Sequence, residues 1–369
     1  MEDKLVTLAI RTYERANKIK DELDKNGIET IIHNLNIANP EVAVGVRVRI
    51  KESDLPRALK LVEKIEDAWD KEAMQNSPRN KNIVLIPIDL SDNIKDVCKY
   101  GFYFAEMLNT EVVFLHAYFL PSFNISSENN INTYALADSE TVRRTMAMMN
   151  ADIENFTNLV NRWITQGDVA DIKFKFELSA GVPEDVILDF AKKKEPSLII
   201  MGTKSRIRKK DELIGSVTSE VLEGSSQPVV AVPENGNFRQ PNKVKRIAFL
   251  TNFDQKDLIA IDETISLYNN DNLEVFFIHS SDKKDAWDEI KLTGIKDYFS
   301  NHYPGLKTEY ALLEKEENLK QIHSFLDNND IDLVALNAKK RSLFARFFNQ
   351  GIVTRLLFNV DTPLLVMHM

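Results

Sequence analysis

The sequence predicts an α/β protein built from two tandem parallel-sheet units, preceded by a small α+β domain. Three observations carry this. Short apolar runs such as Leu198-Ile199-Ile200-Met201 and Val229 to Val232 read as strands buried on both faces, the mark of a parallel sheet. These runs alternate with amphipathic helical stretches. The pattern of residues 82–234 also returns, degenerate, over residues 245–369, as expected when one supersecondary unit is duplicated. The expected organisation is an α+β domain over residues 1–70, a first repeat over 82–234 and a second over 245–369.

Composition sets the outer bounds. The 369 residues suffice for two or three domains of ordinary size. A hydrophobic share of 43% supports packed cores, and a net charge of −9 argues against a general nucleic-acid or membrane-surface binder. The single cysteine, Cys98, excludes an internal disulfide framework and suits the reducing cytoplasm. No apolar run approaches the length of a membrane span, and the charged N-terminal stretch does not read as a signal peptide.

In chain order, residues 4–10 read as a strand and Tyr13 to Asn26 as a helix with Ala16, Ile19 and Leu23 on one face, closed by Gly27. Ile28 to Leu35 is strand-like. Val42, Val44, Val46, Val48 and Ile50 alternate like a half-buried strand, and Leu55, Leu59, Val62 and Ile65 mark a second helix. His33, alone here, reads as an ordinary strand residue. This βαββα order resembles a family of small signal-transducing domains of ferredoxin-like build, over roughly residues 4–68. Residues 66–81 form a polar linker.

The first repeat opens with Ile83 to Ile88, a buried strand ending at Asp89. A helix follows, capped by Ser91 or Asp92, with Ile94, Val97, Cys98, Gly101 and Leu108 on its packed face, so Cys98 reads as structural. Val112 to Ala117 is the second strand, and His116 within it reads as packed. Residues 118–138 form a long polar excursion. Thr141 to Trp163 is a helix in which Met148 and Met149 read as core or interface filler. Ile172 to Leu178 is a strand, and Pro183 starts the helix Glu184 to Lys194.

The stretch from Leu198 to Glu234 carries the chemistry. A strand ends at Gly202, and a loop rich in Lys and Arg follows. Gly215-Ser216 then opens a helix, and Val229 to Val232 is a last strand. A helix N-terminus presents unpaired N–H groups and a partial positive charge, so glycine and serine there suit a phosphate. Lys204, Arg206, Arg208, Lys209 and Lys210 read as a solvated loop neutralised by phosphate or nearby acids, rather than as a nucleic-acid surface.

The frame Gly202, two residues, Ser205, nine residues, Gly215-Ser216 resembles the universal stress protein family. Its ATP-binding members carry Gly, two residues, Gly, nine residues, Gly, then Ser or Thr. Here Ser205 stands at the second glycine. The segments around Ile86-Pro87-Ile88-Asp89 and Phe114-Leu115-His116-Ala117 resemble the same family. The resemblance implies a Rossmann-like fold of the adenine nucleotide alpha hydrolase type. It implies ATP or AMP, with or without Mg, bound in the first repeat only. Asp89 and Ala117 would hold the base end, and Gly202, Ser205, Gly215 and Ser216 the ribose and phosphates.

In the second repeat Asp89 falls on Asn252 and Val113 to His116 on Phe276 to His279, at an offset of 163. At an offset of 135, Leu198 falls on Leu333 and Pro228 on Pro363. Gly202 then becomes Asn337, Ser205 becomes Lys340, Gly215 becomes Gln350, and Gly351 falls on Ser216. The apolar skeleton persists while the phosphate turn is lost, so this copy reads as a structural or regulatory partner of the first. The two repeats are expected to pair within one chain through their last strands, with a homodimer as a further option. The leading expectation is a nucleotide-binding stress sensor or adaptor with an unknown protein partner and at most slow ATP hydrolysis. The alternative is a dimerising platform that binds no nucleotide. No catalytic or metal-binding motif supports turnover as the main function.

Overall fold

The computed structural model describes the chain except residues 1–3, 12, 35–45, 63, 66–82, 91–93, 119–121, 127–131, 137–138, 204–215, 234–237, 252–254, 269–271, 282–285, 315–317 and 339–361. The N-terminal unit runs β1 (Leu5–Arg11), α1 (Tyr13–Lys25), β2 (Ile31–Asn34), β3 (Val46–Lys51) and a helix α2 over residues 55–62. Its strands form an antiparallel sheet in the order β1-β3-β2. The helical spacing of Ala16, Ile19 and Leu23, and of Leu55, Leu59 and Val62, places both helices on one face of this sheet, over Leu8, Val48 and Ile50. Gly27, at φ 74°, turns the chain after α1.

The first repeat contributes β4 (Ile83–Ile88), α3 (Lys95–Met107), β5 (Glu111–Tyr118), β6 (Ser122–Ser126), β7 (Asn132–Leu136), α4 (Ser139–Thr165), β8 (Phe174–Ala180), α5 (Pro183–Lys194), β9 (Leu198–Thr203), α6 (Ser216–Gly224) and β10 (Val229–Pro233). The long polar excursion holds an antiparallel hairpin, β6 with β7. Met149 is buried as expected, but Met148 is 64% exposed, because it lies on the outer face of α4.

The second repeat follows as β11 (Arg246–Leu250), α7 (Gln255–Leu267), β12 (Glu274–Ser281), α8 (Ala286–His302), β13 (Lys307–Glu314), α9 (Asn318–Asn328), β14 (Leu333–Asn337) and β15 (Leu364–Met367). Where the first copy spends a hairpin and the 27-residue α4, the second has the 17-residue α8.

Two separate parallel sheets would leave β10 and β15 as edges with unpaired backbone groups. Instead they pair with each other, giving one ten-stranded sheet in the order β13-β12-β11-β14-β15-β10-β9-β4-β5-β8. The β10–β15 step is antiparallel and the other steps are parallel. Val229 faces Val366, Val230 faces Leu365 and Ala231 faces Leu364, so a local two-fold passes through the Val230–Leu365 pair.

The repeat symmetry extends to single hydrogen bonds. Ser197 N donates to Ile83 O as Asp332 N donates to Arg246 O, and Ile199 N to Pro228 O as Val334 N to Pro363 O, all at 2.9 Å. Both large apolar clusters span the two repeats, one on each face of the sheet. Across the seam Phe104 of α3 meets Tyr268 edge-on, ring centroids 5.5 Å apart. The connecting chain is pinned there too. Buried Asp332 accepts from the backbone N–H of Lys245 and Arg246 and from the Arg239 guanidinium, while Tyr100 OH donates to Arg239 O.

Candidate functional site

The first repeat places its strands in the order β8-β5-β4-β9-β10. The chain steps outward from β4 through β5 to β8, then returns to lay β9 on the other side of β4. Order therefore reverses between β4 and β9, and such a switch point opens a crevice beyond the carboxyl ends of the strands. Asp89 directly follows β4 and is exposed there. Ala117 lies near the end of β5, half-buried against the apolar cluster under α5. Gly202 lies near the end of β9, opposite Val232 of β10. Ser216 is the first residue of α6. Four expected site residues thus lie at the same end of three neighbouring strands, β5, β4 and β9, and at the start of the helix that follows β9. Ser205 and Gly215 lie outside the described residues, as do the basic residues of 204–210.

Two hydrogen bonds fix this end of the repeat. Thr218 Oγ1, buried in the first turn of α6, donates to Gly202 O at 2.9 Å, tying that helix start to β9. His116 Nδ1 lies 3.0 Å from Ile88 O, locking the ends of β5 and β4 together. The same device recurs in the second repeat, where His279 Nδ1 lies 2.8 Å from Thr251 O. This accounts for His116 as a packed residue in both copies. Gly202 answers to packing as well: a Cβ there would lie 3.3 Å from Val97 Cγ2 of α3. Gly101 likewise lets α3 close onto Ile86 of β4. Cys98, on the same helix, is fully buried, and burial pushes its thiol pKa far up, which keeps it unreactive.

The matching end of the second repeat is filled by its own side chains. Asn337, where the first copy has Gly202, donates through Nδ2 to Asp257 Oδ1 at 3.2 Å and accepts from Met369 N through Oδ1. Thr251 Oγ1 donates to the other carboxylate oxygen of Asp257 at 2.9 Å. Asp257 and Thr251 are buried. At the equivalent positions the first repeat has Ile94 and Ile88, which bury apolar surface instead. Sequence reasoning found Asn337 but missed its partners. The exchange of Ile88 for Thr251 and Ile94 for Asp257, at the constant offset of 163, was the available signal. Thr218, two residues past Ser216, was also missed.

Among the described residues no cluster of three His, Cys, Asp or Glu could hold a metal ion, and no helix is long and apolar enough to cross a membrane.

Comparison with known proteins agrees with this geometry. Residues 81–233 match the model of the universal stress protein family. A universal stress protein of Methanocaldococcus jannaschii is 26% identical over 161 residues, covering 40% of this chain and 93% of the relative. A second one from that organism is 38% identical over 61 residues, 16% of this chain and 36% of the relative. Among solved structures, a universal stress protein from Archaeoglobus fulgidus superposes with a TM-score of 0.58 at 18% identity, covering 78% of this chain and 98% of its own, a likeness of fold. Residues 81–233 are thus similar to the universal stress protein family.

Proposed function

We propose that the first repeat binds an adenine nucleotide, ATP or AMP, and that the protein acts as a cytoplasmic stress-response sensor or adaptor rather than as an enzyme of high turnover. The observation that carries this reading is the difference between two equivalent strand ends. In the first repeat Asp89, Ala117, Gly202 and the start of α6 stand at the switch point, and Gly202 has no side chain to reach across it. In the second, Asn337, Asp257 and Thr251 bond to one another across the same place. Asp89 and Ala117 would take the base end. Gly202 and Ser216, with Ser205 and Gly215 of the intervening loop, would take ribose and phosphates at the positive end of α6. Mg would accompany a triphosphate. The second repeat, a degenerate copy of the same domain, serves as the built-in pairing partner. The N-terminal unit, with its β1-β3-β2 order, is a ferredoxin-like accessory domain.

Calorimetric titration with ATP and Mg tests this, and the expected stoichiometry is one nucleotide per chain. Two equivalent sites would overturn the asymmetry, and no binding would transfer the lead to a second reading. In that reading the fold is an interaction platform without nucleotide. It is favoured by Gly202, whose lack of a side chain is already required by Val97.

A further inference from the structure

The N-terminal unit is held to the first repeat in an unusual way for parts of one chain. Its apolar cluster draws only on residues within the unit, from Val6 to Val62, among the described residues. The two large clusters of the ten-stranded sheet include none of these side chains. Contact is made instead by charge. Arg11 at the end of β1 lies 3.5 Å from Asp185, and Arg15 in the first turn of α1 lies 3.6 Å from the same carboxylate. Arg15 also bonds Asp189. Asp185 and Asp189 stand one turn apart in the first two turns of α5, so they share a helix face. Asp185 is buried, at 7% exposure, although it is an acid on a surface helix.

We propose that this contact is a charge latch. The N-terminal unit parks on the first two turns of α5 through Arg11 and Arg15, and it can leave without either part unfolding. Each part keeps its own core, so release exposes charged groups that water solvates well and little apolar surface. A contact made by apolar burial would not weaken as salt rises, since ionic screening acts on charges only. The position gives the latch a use. Gly181 N donates to Tyr118 O, so the chain entering α5 is tied to the end of β5, next to Ala117. Docking and release therefore act on the rim of the first repeat's crevice. The latch stands whether or not a nucleotide binds.

The test uses the full chain with fluorescent labels on Lys25→Cys and Lys193→Cys, two exposed positions on α1 and α5. Buried Cys98 does not compete for label. Raising NaCl from 0.1 M to 1 M shortens the screening length from about 10 Å to about 3 Å. Energy transfer is expected to fall as salt rises, while circular dichroism stays constant. Asp185→Asn with Asp189→Asn should show low transfer already at 0.1 M. Reversal at all four positions (Arg11→Asp, Arg15→Asp, Asp185→Arg, Asp189→Arg) should restore it. Transfer that is constant or rises with salt in the unmutated latch would overturn the proposal, and that measurement does not depend on any latch variant folding.

Discussion

Val230 and Leu365 face each other at the centre of the ten-stranded sheet, in the antiparallel step that joins the two repeats. Both are fully buried. Each would lie on an exposed edge if its repeat stood alone, so each half supplies the other with its missing neighbour. The two repeats should therefore unfold as one unit. Leu365→Ala is expected to cost about 2–5 kcal/mol, as for other buried leucines, and to lower a single shared transition. Calorimetry and denaturant melts read at Trp163 and Trp287 check this. Separate transitions for the two repeats would contradict it.

Gly202 and Val97 are coupled by contact, because a Cβ at 202 would press on Val97 Cγ2 of α3. Gly202→Ala should destabilise by about 1–3 kcal/mol through overpacking, and adding Val97→Ala should recover most of that. Because the added methyl points at α3, nucleotide affinity is expected to recover along with stability. Urea melts and nucleotide titration of the single and double variants decide it. Recovered stability with lost binding would show that the Cβ position of residue 202 faces the ligand rather than α3 alone.

His368 follows β15 and sits where the two repeats meet, beside backbone groups of Ala338 and of Leu222 in α6. Burial pushes its pKa from 6.5 down to about 4, and the two backbone groups offset only part of that. The unfolded chain takes up a proton near pH 6.5 while the folded chain refuses it until about pH 4. His368 thus favours folding fully above pH 6.5, and that share is lost as pH falls toward 4. At 1.36 kcal/mol per unit the loss is about 2 kcal/mol between pH 7 and pH 5. His368→Gln should flatten the difference between urea melts at those two pH values. An unchanged pH dependence would show that the ring is free to protonate in place.

The strands were legible because parallel strands buried on both faces must be apolar throughout, as in Ile83 to Ile88 and Val229 to Val232. The repeat was legible because its offset is constant across whole strands. The hairpin β6–β7 was not read, although Phe123 and Ile125 alternate with polar residues in its first strand, because the stretch around it is dominated by polar residues. Its pairing is local and leaves little apolar signature. Of the expected site residues, the places of Asp89, Ala117, Gly202 and Ser216 at strand ends and a helix start were legible, while their roles came from the family resemblance. Thr218, Asp257 and the Arg11–Asp185 contact depend on what approaches from elsewhere in the chain, and no local pattern encodes that.

Ser205 offers the sharpest test of the phosphate loop. The family frame has glycine there, letting the loop backbone turn toward phosphate. A non-glycine residue in the left-handed region costs roughly 1–2 kcal/mol. If that strain arises only on binding, affinity falls about five- to thirty-fold. The serine hydroxyl can donate to a phosphate oxygen and recover part of the loss, helped by the charges of Lys204 and Arg206. Ser205→Gly is therefore expected to tighten ATP binding by up to that factor or to leave it unchanged. Gly215→Gln, which copies the second repeat, should abolish binding, because a side chain would stand where phosphate needs bare N–H groups at the start of α6. Fluorescent-nucleotide titrations at fixed salt measure both. If Gly215→Gln binds as tightly as the unmodified chain, the phosphates lie elsewhere and the platform reading takes over.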